Sequence, residues 1–152
     1  MNRRTLISLA AIAAASASLP SFAKAPLPRV EVFKNPECGC CGAWVDHLKA
    51  AGFPVTVHET PDTRAVRKRH GIPEEFSSCH TGVVAGYALE GHVPAGDVKR
   101  LLAQRPAAAG LSVPGMPAGS PGMEMGARKD AFQVLLVDKA GHASVFASYP
   151  KT

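Results

Sequence analysis

Hydrophobic residues recur along this chain in short runs that alternate between the spacing of strands and the spacing of helices. The run at residues 30–33 has the length and β-branched content of a strand. Within residues 43–51, Trp44 and Leu48 lie one helical turn apart, which predicts a helix with one buried face. A second strand at residues 55–57 follows, and two strands joined through a helix are expected to pair in parallel.

The same periodicities predict the rest of the chain. A basic helix with Pro61 at its first position, a β-hairpin around Gly86, a third helix and a terminal hairpin are expected at residues 60–70, 82–92, 94–106 and 132–149. Residues 107–128 show no periodicity and are rich in Gly, Pro and Ala, which predicts an irregular loop. The order βαβαββα, a Gly/Pro/Met-rich loop and a C-terminal hairpin predict an α/β fold of the thioredoxin-like type.

The first residues have the features of an export signal. Arg3 and Arg4 precede an apolar run at residues 6–19, and Ser21-Phe22-Ala23 is a small-x-small cleavage site. We therefore expect a signal peptide at residues 1–23 and one domain at residues 24–152, exported by the Sec or the twin-arginine route. The domain would then work in an oxidising compartment without a membrane span.

The charge of the chain argues against a nucleic-acid partner. Cleavage after Ala23 removes two arginines and no acidic residue, which lowers the formal charge from +5 to +3. That charge is too mild for a nucleic-acid-binding surface. Basic residues do cluster on the second predicted helix, at Arg64, Arg67, Lys68 and Arg69, and we expect them on a solvated face.

Cysteine chemistry dominates the candidate site. Cys38, Cys40 and Cys41 fall within four residues, at the turn between the first strand and the first helix. The positive end of the helix dipole favours thiolates there. In a thioredoxin-like fold the loop before the third strand packs against this turn, and that loop carries Cys79 and His80. We call the four cysteines the thiol cluster.

A thiol cluster of this kind is a soft metal site. Soft thiolates select Cu(I), zinc or iron–sulfur clusters over hard cations. The adjacent Cys40 and Cys41 suit bridging between several ions better than binding one tetrahedral zinc ion. Three methionines, Met116, Met123 and Met125, lie close together in the predicted loop, and a thioether is a further kind of Cu(I) ligand. They are therefore candidate ligands, and the alternative is that they only pack the loop onto the domain. We call residues 116–125 the methionine loop.

Histidines add weaker candidates for the site. His80 is expected to be a ligand or to lie just behind the ligands, because it follows Cys79 directly. His47 on the first predicted helix and His92 at the end of a predicted strand are further candidates. The other histidines are expected at the surface or in satisfied structural positions.

Several motifs of the chain resemble one known family. These are Cys38-Gly-Cys-Cys-Gly42, Cys79-His-Thr81, Glu90-Gly-His-Val-Pro94, Val113-Pro-Gly-Met-Pro117 and Gly119-Ser-Pro-Gly-Met-Glu-Met125. Together they resemble the CopG-like periplasmic copper-resistance proteins, a domain family of unknown function (DUF411), over about residues 30–149. The resemblance implies a thioredoxin-like fold, export to the periplasm and a cysteine-bridged site for more than one copper ion. It implies that the four cysteines are the thiolates, and it leaves the reaction open.

Three functions are therefore compared. The first is a periplasmic copper-binding protein for copper handling and resistance, whose partners would be other periplasmic copper-handling proteins. Whether it also changes the oxidation state of copper is left open. The second is a metal-free thiol–disulfide oxidoreductase, in which Cys38 attacks and Cys41 resolves. The third is an interaction domain stapled by a disulfide from Cys38 or Cys41 to Cys79. Cys40 discriminates between them, because only a metal cluster uses this third thiol.

Overall fold

A computed structural model of the chain describes residues 25–151, which form a mixed α/β fold. The strands are β1 (Val30–Lys34), β2 (Val55–Glu59), β3 (His80–Val84), β4 (Tyr87–Glu90), β5 (Ala108–Ser112), β6 (Phe132–Asp138) and β7 (Ala143–Tyr149). The helices are α1 (Gly39–Ala50), α2 (Thr63–Arg69) and α3 (Ala95–Gln104). The signal peptide predicted at residues 1–23 lies outside the described residues.

All seven strands belong to one sheet with the order β2-β1-β3-β4-β5-β6-β7. The predicted parallel pairing of β1 with β2 is confirmed, and β3 pairs antiparallel on the other side of β1. β3 and β4 form the predicted hairpin. The element order from β1 to α3 matches the prediction, whereas the more specific thioredoxin-like assignment stays a prediction.

Two helices begin at positions that differ from the predictions. Helix α1 begins at Gly39 rather than Ala43, because Cys38 adopts an extended backbone and serves as the N-cap. Helix α2 begins at Thr63, and the side chain of Asp62 accepts a hydrogen bond from the N–H of Ala65. Pro61 therefore lies outside the helix. Between residues 25 and 151, no helix combines the length and the apolar character needed to cross a membrane.

The segment predicted to be irregular, residues 107–128, contains a strand. β5 pairs in parallel with β4 and antiparallel with β6, so the terminal hairpin β6–β7 continues the same sheet. The prediction of an irregular loop was wrong for residues 108–112. Its run of Ala and Gly has little β propensity, and the strand forms because both of its neighbours offer unpaired backbone groups.

The main hydrophobic core lies between the sheet and the helices α1 and α3. Trp44 and Leu48 of α1 pack with Val98 and Leu101 of α3, and all four are fully buried. A smaller apolar cluster contains Ala88, next to Leu89 of the main core, together with Ile72 and Val137. Adjacent strand residues point to opposite faces of a sheet, so this second cluster covers the other face. Both faces of the central strands are therefore buried.

Candidate metal centre

The site forms where the end of β1 meets the start of β3. Antiparallel pairing places Lys34, the last residue of β1, opposite His80, the first residue of β3. The turn that follows Lys34 carries Cys38 as the N-cap of α1, with Cys40 and Cys41 in the first helical turn. The residue before His80 is Cys79. The pairing of β1 with β3 therefore brings two cysteine segments that are far apart in the sequence to the same end of these two strands.

The four sulfur atoms of the thiol cluster all lie within 4.8 Å of one another. Cys38 and Cys41 form a disulfide, while Cys40 and Cys79 are free thiols. The sulfur of Cys40 lies 3.5 Å from the sulfur of Cys38. The sulfur of Cys41 lies 3.9 Å from the carbonyl oxygen of Cys79.

This geometry tests two of the predictions made for the cysteines and leaves a third open. The predicted proximity of Cys79 to the C-x-x-C turn is confirmed. A staple from Cys79 to Cys38 or Cys41 is wrong for this structure, because those two cysteines are bonded to each other. The role of the four thiols as metal ligands stays a prediction. Because cysteine binds metal as a thiolate, all four sulfurs could bind only when the Cys38–Cys41 disulfide is reduced.

Two buried histidines face the sulfur of Cys79. Nδ1 of His80 lies 3.3 Å from this sulfur and Nε2 of His92 lies 3.2 Å from it. The ring of His80 also packs on the indole of Trp44, with 4.3 Å between ring centroids. Both histidine side chains are fully buried.

His92 is a site residue that sequence reasoning placed only among weaker candidates. A signal for it exists in the predicted hairpin around Gly86, since residues equally far before and after a hairpin turn lie side by side. The N–H of Gly91 donates to the carbonyl oxygen of His80, which holds the two ends of the hairpin together. His47, another candidate, has a structural role instead. Its Nε2 accepts a hydrogen bond from the N–H of Ala95 at the start of α3.

Burial controls the protonation of the site. Burial, reinforced by the neighbouring Cys40, raises the pKa of the Cys79 thiol to about 12. Burial, together with His92, lowers the pKa of His80 to about 3, and burial also lowers the pKa of His92. At neutral pH the imidazoles are therefore uncharged, with a lone pair available. Cys79 is a thiol that a bound cation would have to deprotonate.

The methionine loop lies against the site through its backbone. The carbonyl oxygen of Pro121 accepts a 2.7 Å hydrogen bond from Nδ1 of His92. A Cβ atom on Gly122 would lie 2.7 Å from the backbone nitrogen of Trp44 and 3.0 Å from the carbonyl oxygen of Cys40. The loop thus covers the first turn of α1.

The three methionine side chains differ in exposure. Met123 is half-buried, while Met116 and Met125 are 53% and 67% exposed. The fold accordingly brings the loop to the thiol cluster but leaves two of its thioethers at the surface. Their role as metal ligands stays a prediction.

A buried ion pair supports the Cys79 segment and was missed in the sequence. Arg67 was expected on a solvated helix face, but it is 4% exposed and its Nη1 lies 3.6 Å from Oε1 of the fully buried Glu90. Arg67 also pairs with Glu74. Local periodicity could not reveal this pair, because α2 is only seven residues long and its partners come from other elements.

Comparisons with known proteins agree with the motifs. The model of a protein family of unknown function, DUF411, matches residues 76–123, which include Cys79, His80 and His92. Two solved structures are similar, both described as a copper resistance protein copG. Form 2 is 49% identical with a TM-score of 0.78, covering 82% of this chain and 99% of that chain. Form 1 is 50% identical with a TM-score of 0.77, covering 82% and 98%.

The extent of these matches decides the classification. No curated protein sequence matches the chain. The two solved structures nevertheless share about half of their residues with it over most of both chains, and the Cys-x-Cys-Cys motif is present at residues 38–41. The chain therefore belongs to the CopG-like family, DUF411, as its motifs predicted.

Proposed function

We propose that the protein is a periplasmic copper-binding protein for copper handling and resistance. In this proposal the thiolates of Cys38, Cys40, Cys41 and Cys79 bridge more than one Cu(I) ion. The observation that carries it is the convergence of four sulfur atoms within 4.8 Å, one of them from a different segment of the chain. A sulfur can bridge two ions, so four crowded sulfurs suit several soft ions better than one.

The surroundings of the thiol cluster support a soft monovalent cargo. The imidazoles of His80 and His92 add neutral ligands, and the methionine loop adds thioethers near the rim. The raised pKa of Cys79 disfavours a free thiolate, so a cation is needed to stabilise its charged form. Copper binding would release the thiol protons, and the affinity should therefore rise with pH.

The relatives support copper as the metal. Both similar solved structures are described as copper resistance proteins. The periplasm as the location is supported by the export signal expected at residues 1–23. Other periplasmic copper-handling proteins are the proposed donors or acceptors of the ions.

A Cu(I) titration of the fully reduced protein tests the proposal. With a competing Cu(I) chelator present, we expect saturation above one ion per chain and a lower stoichiometry for Cys79→Ser. The substitution Ser144→Ala, at an exposed position on β7, is the matched control and should keep the wild-type stoichiometry. Saturation at one Cu(I), or tighter binding of zinc at matched chelation, would contradict the proposal.

A second candidate function is supported by the Cys38–Cys41 disulfide. This pair has the spacing of a thiol–disulfide oxidoreductase, in which the first cysteine attacks a substrate disulfide and the second resolves the mixed disulfide. The nearby Cys40 argues against it, since its sulfur lies 3.5 Å from that of Cys38 and can divert the exchange. Insulin reduction by the metal-free protein measures this activity directly.

A further inference from the structure

A second ligand set overlaps the thiol cluster at one residue. Cys79, His80 and His92 present one sulfur and two imidazole nitrogens within 4.8 Å of one another. None of the three belongs to the C-x-x-C turn. Cys79 is a free thiol while Cys38 and Cys41 are bonded to each other, so this set stays complete when the disulfide has formed.

The hydrogen bonds of His92 aim its free lone pair at Cys79. A carbonyl oxygen can only accept, so the contact with Pro121 places the ring proton of His92 on Nδ1. The lone pair is then on Nε2, which lies 3.2 Å from the sulfur of Cys79. Metal-binding histidines typically donate their other ring N–H to such a carbonyl or carboxylate, which fixes the tautomer.

His80 completes the set, and its ring centroid lies 5.0 Å from that of His92. Its Nδ1 lies 3.3 Å from the sulfur of Cys79. Its Nε2 is buried and has no hydrogen-bond partner among residues 25–151. A cation held by Nδ1 would keep the ring proton on Nε2.

The spacing suits a single ion. A tetrahedral zinc ion, with bonds of about 2.3 Å to sulfur and about 2.0 Å to nitrogen, separates its sulfur and nitrogen ligands by about 3.5 Å. The observed sulfur–nitrogen distances of 3.2 and 3.3 Å are close to this value, and a small rotation of the side chains would make up the difference. Three protein ligands leave a fourth position open.

The chemistry of this set differs from that of four thiolates. Two imidazoles and one thiolate form a borderline site, which suits divalent zinc-class ions, whereas several thiolates suit Cu(I). We infer that the disulfide form of the protein binds one zinc-class divalent cation through Cys79, His80 and His92. The inference rests on the proposed function through Cys79, His80 and His92, which the two sites share and which therefore cannot serve both at once.

Titration with Co²⁺ tests this inference, because tetrahedral Co²⁺ reports thiolate and imidazole ligation by its absorption bands. The full exported chain is used with the Cys38–Cys41 disulfide intact and two free thiols per chain confirmed by thiol titration. We expect saturation at one Co²⁺ per chain, a thiolate-to-cobalt charge-transfer band, and displacement of Co²⁺ by Zn²⁺.

Variants then assign the ligands. Cys79→Ser should abolish the charge-transfer band, and His92→Gln should weaken Co²⁺ binding at least about tenfold. The exposed His142 is the matched control, and His142→Gln should bind as the wild type does. Circular dichroism checks that each variant is folded. If His92→Gln does not fold, Cys79→Ser still decides the test.

Three outcomes would overturn the inference: no Co²⁺ band, more than one Co²⁺ per chain, or a band that survives Cys79→Ser. A Cu(I) titration of the reduced protein separates this failure from failure of the proposed function. Several Cu(I) ions bound without Co²⁺ binding by the disulfide form would reject the divalent site alone. The reverse result would reject the copper cluster alone.

Discussion

The buried carboxylate of Glu90 accepts a hydrogen bond from the backbone N–H of Ser78, with 2.7 Å between Oε1 and the nitrogen. The hydroxyl of Thr81 donates to the other carboxylate oxygen at 2.6 Å, and Arg67 lies beside the first. Burial raises the pKa of Glu90, while these hydrogen bonds and the charge of Arg67 act against that shift. Since Ser78 directly precedes Cys79, this network fixes the backbone that presents the Cys79 sulfur.

Removal of the Glu90 carboxylate should strongly destabilise the fold. Glu90→Ala leaves the buried guanidinium of Arg67 without its interior partner, and breaking a buried ion pair from one side costs about 3–5 kcal/mol. Glu90→Gln keeps an acceptor oxygen for Ser78 and should cost less. Urea unfolding of the metal-free protein measures the free energy of unfolding of both variants.

The control is Glu75→Ala, at an exposed glutamate next to Glu74, for which we expect a change in unfolding free energy within about 0.5 kcal/mol. Wild-type stability of Glu90→Ala would contradict this account of the network.

Alanine substitutions at two glycines of similar backbone conformation distinguish the cost of backbone strain from the cost of a steric clash with α1. Gly115 and Gly122 have φ values of +69° and +85°, so alanine at either position costs about 1–2 kcal/mol. Only at Gly122 would the new methyl group meet the backbone of α1, 2.7 Å from the nitrogen of Trp44, whereas Gly115 faces open space. Gly122→Ala should therefore destabilise the protein by about 1–3 kcal/mol more than Gly115→Ala.

Amide exchange of the methionine loop, together with urea unfolding, checks this difference. Faster exchange across residues 116–125 is expected in Gly122→Ala, because the loop must move away from the first turn of α1. If both alanine variants lose equal stability and exchange alike, the close approach of Gly122 to α1 does not hold the loop.

Acidification should destabilise the metal-free protein through its buried histidines. The pKa of His80 is lowered from 6.5 to about 3 in the folded state, and that of His92 is also lowered. Between pH 6.5 and 3 the unfolded chain thus binds more protons than the folded one. The stabilisation is complete above pH 6.5 and is lost as the pH falls, by up to about 1.4 kcal/mol per pH unit for each histidine.

Urea unfolding at pH 7.5 and 5.5 measures this slope. Glu90, whose pKa is raised, acts with the opposite sign, so the net slope should be smaller than the histidines alone would cause. His92→Gln should flatten the profile, whereas His142→Gln, at an exposed ring, should keep most of it. If the free energy of unfolding of the wild type were higher at pH 5.5 than at pH 7.5, the histidines would not control its pH dependence.

Cys40 distinguishes the metal cluster from thiol exchange. We expect Cys40→Ser to lower the Cu(I) stoichiometry of the reduced protein, because it removes one of four converging sulfurs. The same variant should still form the Cys38–Cys41 disulfide, since neither sulfur of that bond is changed. Chelator-competed titration and mass spectrometry of the oxidised variant measure the two results. Unchanged copper binding would make Cys40 a bystander and favour the oxidoreductase.

Local sequence determined the turn that carries three of the cysteines. A β-branched run before Cys38 and helical spacing from Trp44 onward predict a strand, a turn and a helix, because these patterns depend only on neighbouring residues. The same reasoning predicted the β3–β4 hairpin and the terminal hairpin. Helix boundaries shifted by a few residues, since an N-cap such as Cys38 or Asp62 depends on backbone geometry that periodicity does not report.

Only the tertiary structure decided which distant groups share the site. The register of β1 against β3 places Cys79 beside Cys38, and the register of β3 against β4 brings His92 to Cys79. Of these two registers, only that of the β3–β4 hairpin is indicated locally, by the short turn around Gly86. The register of β1 against β3 depends on pairing between residues far apart in the chain, so local patterns do not contain it. The same reason explains β5 and the burial of Arg67 against Glu90: both arise from partners supplied by other elements. Sequence alone therefore identified the sulfur groups of the candidate site, while the fold selected which imidazoles lie beside them.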